Sequence, residues 1–284
     1  MSIIIVHNLH QSGDSRKRLN HLLALKEEQM KLSKLITPCP FAARHYKRTF
    51  VGSADDQVSH PSRSVIELAI QLIKETQDVD ISDICKRLHP KRAKVVQTWP
   101  GEHYRLLAGA VAVLKPMMIV EVGTETGLSA LCLMKNLPPG GKVITFDLIP
   151  WNEIDNGILK DEDFASGSLK QEIGDLSKPA VFKKYADTIA QADVLFLDGP
   201  KDGKFEPRIA ELLNTLPFKT PPWVLYDDIK DLHMLRFWRE LKKPKLDFTS
   251  FGSWTGTGLV SWVDEFNNAN SVKNANNAID SDEE

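Results

Sequence analysis

Residues 117–147, MMIVEVGTETGLSALCLMKNLPPGGKVITFD, constrain the fold more than any other stretch. Residues 117–123 are apolar, rich in β-branched side chains and end on glycine, the pattern of a strand buried on both faces. From Ser129 to Leu137 the apolar spacing turns helical, and Pro138-Pro139-Gly140-Gly141 stops the helix. Residues 143–146 read as a second short buried strand, closed by Asp147. The result is one β-α-β unit with Gly123 and Gly127 in its first turn and a carboxylate ending its second strand. Such a unit suits a nucleotide-type ligand. Glycines admit the ligand to the backbone, the helix start offers free N–H groups, and the acid accepts from ribose hydroxyls.

The glycine spacing separates two ligand classes. A dinucleotide turn reads G-x-G-x-x-G so that a pyrophosphate can sit on the helix dipole. Here Thr124-Glu125 stands in place of the middle glycine, and Glu125 sets negative charge where a diphosphate would lie. Glu121 before the first glycine, with an open G-x-x-x-G turn, suits a cationic ligand without phosphate. The stretch resembles motif I of the class I S-adenosylmethionine-dependent methyltransferases, with Asp147 at the family's ribose-binding acid. The resemblance implies S-adenosylmethionine held by Glu121, Gly123, Thr124, Gly127, Ser129 and Asp147, with Asp175 and Asp198 completing the set. A Rossmann-like turn with no ligand is the plainer alternative.

A second constellation lies further along. Residues 192–197 (ADVLFL) and 223–226 (WVLY) read as buried strands, stopping at Asp198-Gly199-Pro200-Lys201-Asp202-Gly203 and at Asp227-Asp228. In an open parallel sheet, ligands bind at the carboxyl ends of the strands. Asp147, Asp198 and Asp227-Asp228 are therefore expected along one edge, where they repel unless a cation neutralises them. With no His or Cys nearby in the sequence, oxygen ligands select a hard ion such as magnesium, calcium or manganese. The pairing of D-x-x-K-D with Y-D-D resembles the catechol O-methyltransferase branch of the same family. That resemblance implies a divalent metal, magnesium by preference, on Asp198, Asp227 and Asp228, and Lys201 as the base on an acceptor hydroxyl. This chain has Asp228 where the branch usually has Asn, and Gly199 and Pro200 where it has aromatic gate residues. The plainer alternative is a surface ion pair between Lys201 and Asp202, with Asp227-Asp228 capping a helix.

The rest of the chain arranges itself around these two. Residues 14–36 suit a long amphipathic helix, 37–61 an irregular linker or covering loop, and 62–75 and 80–88 two further helices. Together residues 1–95 read as an N-terminal helical extension. A helix is expected from Glu102 to Leu114, and Glu102 and His103 at its start either reach over the cofactor or complement the helix dipole. A strand is expected at 171–173, after which Asp175 either meets an adenine amino group or caps the next helix. A further helix is expected at 232–241. Residues 247–263 read as two strands about a Gly-Thr-Gly turn, with Trp254 or Phe251 beside an acceptor pocket or packed on the sheet. Residues 266–284 are Asn-rich and acidic and read as a disordered tail. The expected fold is thus α/β. A Rossmann-like, mostly parallel sheet with its last strand antiparallel spans 96–265, with helices on both faces.

Composition excludes several classes. The formal charge of −2 lacks the basic footprint of a nucleic-acid binder. No window reaches the ~18 apolar residues of a membrane span, and the three cysteines, Cys39, Cys85 and Cys132, make no metal or disulfide spacing. The expectation is a cytoplasmic enzyme that methylates a hydroxyl of a small molecule, with no nucleic-acid or membrane partner. A homodimer is compatible with the sequence. A metal-independent methyltransferase and a non-catalytic S-adenosylmethionine-binding protein are the alternatives.

Overall fold

The structure is a computed structural model that describes residues 58–231 and 233–263. The expected helix at 14–36, most of the linker and the tail lie outside the described residues. Among the described residues the strands are β1 (Met118–Val122), β2 (Lys142–Asp147), β3 (Leu169–Ile173), β4 (Val194–Leu197), β5 (Trp223–Asp227), β6 (Lys245–Asp247) and β7 (Thr257–Ser261). They form one sheet in the order β3-β2-β1-β4-β5-β7-β6. β1 to β5 pair in parallel, and β7 runs antiparallel to both of its neighbours. The strand order therefore reverses between β1 and β4, where an open α/β sheet leaves a crevice at its carboxyl edge.

Among the described residues the α-helices are α1 (Arg63–Asp78), α2 (Ser82–Cys85), α3 (Pro90–Gln97), α4 (Tyr104–Leu114), α5 (Leu128–Met134), α6 (Asp161–Phe164), α7 (Pro179–Ile189), α8 (Phe205–Leu213) and α9 (Met234–Glu240). Successive strand residues point to opposite faces, and the core divides accordingly. Ile119, Val143, Val194, Phe196 and Leu225 join α1, α4 and α5 in one cluster. Val120, Phe146, Leu195, Val224 and Tyr226 join α7, α8 and α9 in the other. Val65, Leu68 and Leu72 of α1 lie inside the first cluster with the sheet residues. Gly109 of α4 makes their approach possible, because a Cβ there would sit 2.8 Å from Thr76 Oγ1.

Several boundaries differ from expectation for local reasons. Helix α4 begins at Tyr104 because Glu102 holds a left-handed φ of 58°. The Gly256-Thr257-Gly258 segment is no turn: β7 runs through Thr257 and Gly258. Gly258 is required there because a Cβ would meet the Trp238 ring at 2.4 Å. Helices α3, α6 and α8 were not expected from the sequence, although Pro90 at the first position of α3 is a start signal.

Candidate functional site

The same parity that divides the core assembles the site. Glu121 follows Ile119, Thr145 follows Val143, and Asp227 follows Leu225, so all three project from the α4/α5 face at the carboxyl edge. The register sets Glu121 beside Thr145 and Phe196, and Phe196 beside Leu225. Beyond the end of β4, Asp198 continues the parity of Phe196. A row of polar groups thus ends an otherwise apolar face.

Glu121 is fully buried, and neither carboxylate oxygen has a hydrogen-bond partner. Burial pushes its pKa up to about 7, against the pull of the nearby Ser129 and Thr145 hydroxyls. The turn beside it is held open by glycines: Gly123 has φ 98° and Gly127 φ 84°. A Cβ on Gly123 would lie 2.2 Å from the Asp198 carbonyl oxygen, so the ends of β1 and β4 touch there. Thr124 is buried and shares a 2.7 Å hydrogen bond with Thr145. Ser129 lies buried in the first turn of α5.

Asp147 is tied to the backbone. Its Oδ2 accepts from the Glu125 N–H at 2.9 Å, and its Oδ1 from those of Leu148 at 2.6 Å and Ile149 at 3.2 Å. Of roughly four lone-pair sites on a carboxylate, about one is left for a ligand hydroxyl. Asp175 accepts at Oδ1 from the Ser177 N–H at 2.9 Å and Oγ–H at 2.6 Å. It stabilises the turn before α7, whose N-cap is Lys178 with no side-chain cap, so the expected capping role is corrected.

The second group lies at the ends of β4 and β5. Lys201, at φ 53°, donates from Nζ to Asp198 Oδ1 at 2.5 Å and to the Gly199 carbonyl at 3.1 Å. Asp228 Oδ2 lies 4.0 Å from the same amine. Lys201 is thus not paired with Asp202, whose carboxylate caps the start of α8 through the Lys204 and Phe205 N–H groups. Burial works to lower the pKa of Lys201, but Asp198, Asp227 and Asp228 together hold it above the ordinary lysine value. Burial and Asp227 raise the pKa of Asp228.

His103 enters from the residue before α4 and is buried against Tyr104 and Phe196, with ring centroids 4.3 and 5.2 Å away. Its Nδ1 lies 3.2 Å from Asp227 Oδ1, yet neither ring nitrogen has a partner in hydrogen-bond alignment. Burial opposes its charged form, but Asp227 and Asp198 outweigh that and raise its pKa. Burial likewise acts to raise Asp227, and His103 and Lys201 hold it below the usual carboxylate range. Donor atoms of His103, Asp198 and Asp227 all lie within 4.8 Å of one another. One expectation is corrected: a histidine does stand among the acids, carried there by a segment distant in sequence from both. Asp147 ends β2 on the same edge, as expected, and is engaged by its own loop.

Sequence reasoning missed Thr145 and Glu206. Glu206, in the first turn of α8, is fully buried with both oxygens unpartnered, and burial raises its pKa. Neither residue belongs to a spacing pattern that would have marked it. An apolar hollow of about 300 Å³ is lined by Val95, Pro100, Glu102, Gly252 and Trp254. Trp254 is 84 % exposed at its rim, and Phe251 packs edge-on to Trp99 at 6.4 Å.

No protein-family model matches the chain, and no curated protein matches it. Among solved structures, an SAH-bound methyltransferase from Podospora anserina is 13 % identical, with 75 % of this chain and 100 % of that one covered at a TM-score of 0.46. A caffeoyl-CoA O-methyltransferase homologue from Staphylococcus aureus is 12 % identical, covers 69 % and 100 %, and scores 0.48. The O-methyltransferase TomG from Streptomyces achromogenes, in complex with SAM, is 16 % identical, covers 73 % and 92 %, and scores 0.42. At such identities and scores the assignment of this chain rests on its own sheet and side chains.

Proposed function

We propose that the protein transfers a methyl group from S-adenosylmethionine to a hydroxyl oxygen of a small molecule. The observation that carries this is Glu121, a fully buried carboxylate with no partner for either oxygen, set at the point where strand order reverses. A buried anion of that kind is costly unless a cation meets it, and S-adenosylmethionine is a cationic nucleoside. Gly123 and Gly127 keep the turn free of side chains, and Asp147 retains a lone pair for a ribose hydroxyl. Asp175 and Asp198 complete the proposed cofactor contacts.

The acceptor is proposed to lie by the hollow at Trp254, and Lys201 to take its proton. As the structure stands, three carboxylates hold that proton on Lys201. Asp198 and Asp227, whose donor atoms stand within 4.8 Å of each other and of His103, offer oxygen donors that a divalent cation such as magnesium accepts, so these residues fit one. Asp228, the third acid implied by the resemblance, is not drawn into that group. A cation bound there would acidify the acceptor hydroxyl and loosen the carboxylates' hold on the lysine proton. The protein's further contribution is alignment of donor and acceptor, since the sulfonium is already activated. The proposed setting is the cytoplasm, without nucleic-acid or membrane partners; among the described residues no helix is long and apolar enough to cross a membrane.

Calorimetry with S-adenosylmethionine and with NAD, each with and without magnesium, tests the reading. Binding of S-adenosylmethionine alone is the expected result. Binding of NAD alone, or of neither, overturns it.

A further inference from the structure

The geometry points to His103 as a nitrogen ligand of the cation site, which makes the site selective for a borderline first-row ion over magnesium. The inference rests on the methyltransferase reading only for the location of the site. Its own ground is the juxtaposition of His103, Asp198 and Asp227.

Three observations combine. First, donor atoms of the three residues lie within 4.8 Å of one another. Neighbouring donors around an ion with bonds of ~2.1 Å stand roughly 3.0 to 3.4 Å apart, and His103 Nδ1 stands 3.2 Å from Asp227 Oδ1. Second, that contact lacks hydrogen-bond alignment, and both imidazole nitrogens and Asp227 Oδ1 are buried without a partner. A histidine–aspartate pair built for proton transfer would align its N–H with the carboxylate. A pair that shares an ion has no such need. Third, Tyr104 and Phe196 pack on the ring and fix its direction, which is how a ligand is held for its metal. Carboxylates alone suit magnesium or manganese, whereas an added imidazole favours cobalt, iron, nickel or zinc. Lys201 holds Asp198 in this structure.

The test uses the chelator-stripped full chain, titrated calorimetrically with Co²⁺ and with Mg²⁺. A visible absorption spectrum follows the Co²⁺ titration. His103→Ala and His103→Gln are compared with the unaltered chain, after circular dichroism has shown that each is folded. The expected result is Co²⁺ binding at least ~10-fold tighter than Mg²⁺, with the Co²⁺ preference lost and its visible bands shifted in both variants. Equal binding of both ions, or Co²⁺ affinity and spectrum unchanged in the folded variants, overturns the inference. Absence of any Co²⁺ binding also overturns it. Calorimetry with S-adenosylmethionine on the same samples distinguishes that outcome from failure of the methyltransferase reading, because Glu121 and Asp147 are untouched.

Discussion

The carboxyl edge of the sheet has two halves that meet the same electrostatic problem differently. At the ends of β1 and β2, Glu121 is buried with no ion-pair partner and neither oxygen in an aligned hydrogen bond. The Ser129 and Thr145 hydroxyls and His103 only partly offset its burial, and its pKa rises to about 7. At the ends of β4 and β5 the acids are more crowded, yet Lys201 and His103 stand among them and hold Asp227 below the usual range. The first half leaves its charge to be met from outside. The second supplies its own cations, which an incoming ion or substrate must disturb. The halves touch where Gly123 meets the Asp198 carbonyl, so a ligand on one side lies against the other.

The largest expected effect comes from removing the internal cation. Lys201→Met keeps an unbranched side chain of nearly the same reach but leaves Asp198 without its 2.5 Å partner. If Lys201 takes the acceptor's proton, turnover should fall by roughly 10² to 10⁴. Affinity for S-adenosylmethionine should change by less than about threefold, because the lost interaction belongs to the transition state. Steady-state kinetics beside calorimetry would show this. Equal losses in both would mean that the two halves are not separable.

The first half was legible because it is local. One stretch of 31 residues, 117–147, carries strand, turn, helix, strand and acid. Its turn chemistry depends on backbone conformations that only glycine adopts cheaply. The strand-end acids of the second half were legible too, since each closes an apolar run. What could not be read was which of them meet. His103 reaches Asp227 because α4 packs on the sheet face that carries Ile119, Phe196 and Leu225, and no spacing rule links residue 103 to residue 227. The same limit explains the mistaken Gly-Thr-Gly turn. Gly258 is glycine because of Trp238, a tertiary cause that imitates a local signal.

Glu121→Gln sharpens the contrast by removing the unmet charge. Folding raises the Glu121 pKa from 4.5 to about 7. Its contribution to stability is therefore whole below the unfolded value and is lost as pH rises through about 7, where the buried carboxylate costs roughly 3 kcal/mol. The variant should match the parent near about pH 5 and exceed it by up to that amount near about pH 8. Saturating S-adenosylmethionine should stabilise the parent more than the variant. Denaturant melts at the two pH values decide it; a variant weaker at both would mean that Glu121 is a structural group.

Asp147→Ala probes the other acid of the first half. It removes the acceptor for three backbone N–H groups and the partner proposed for the ribose. Those amides lie near solvent and can hydrate, so most of the loss should appear in cofactor affinity, at roughly 1 to 3 kcal/mol. Co²⁺ binding should be unchanged, since Asp147 stands apart from His103, Asp198 and Asp227. Calorimetry reads both, and a matching loss of Co²⁺ would join the halves that the structure separates.

The smallest effect is expected at Asp228, where the second half carries more acid than its cations offset. Burial and Asp227 raise its pKa, while Thr255 and Lys201 oppose the shift. A raised carboxylate pKa means that stability is complete below the unfolded value and declines as pH rises through the folded one. At neutral pH the charge on Asp228 is therefore a net cost. Asp228→Asn should remove it, stabilising the fold near pH 7 and leaving it unchanged in acid. The side chain is 27 % exposed and solvent screens it, so the gain should stay below about 1 kcal/mol. The left-handed φ of 58° is no obstacle, because asparagine tolerates that region at least as well as aspartate. Thermal melts at two pH values suffice. A loss of stability at neutral pH would mean that Lys201 depends on Asp228 as well as Asp198, and that the second half carries no surplus charge for an outside cation to meet.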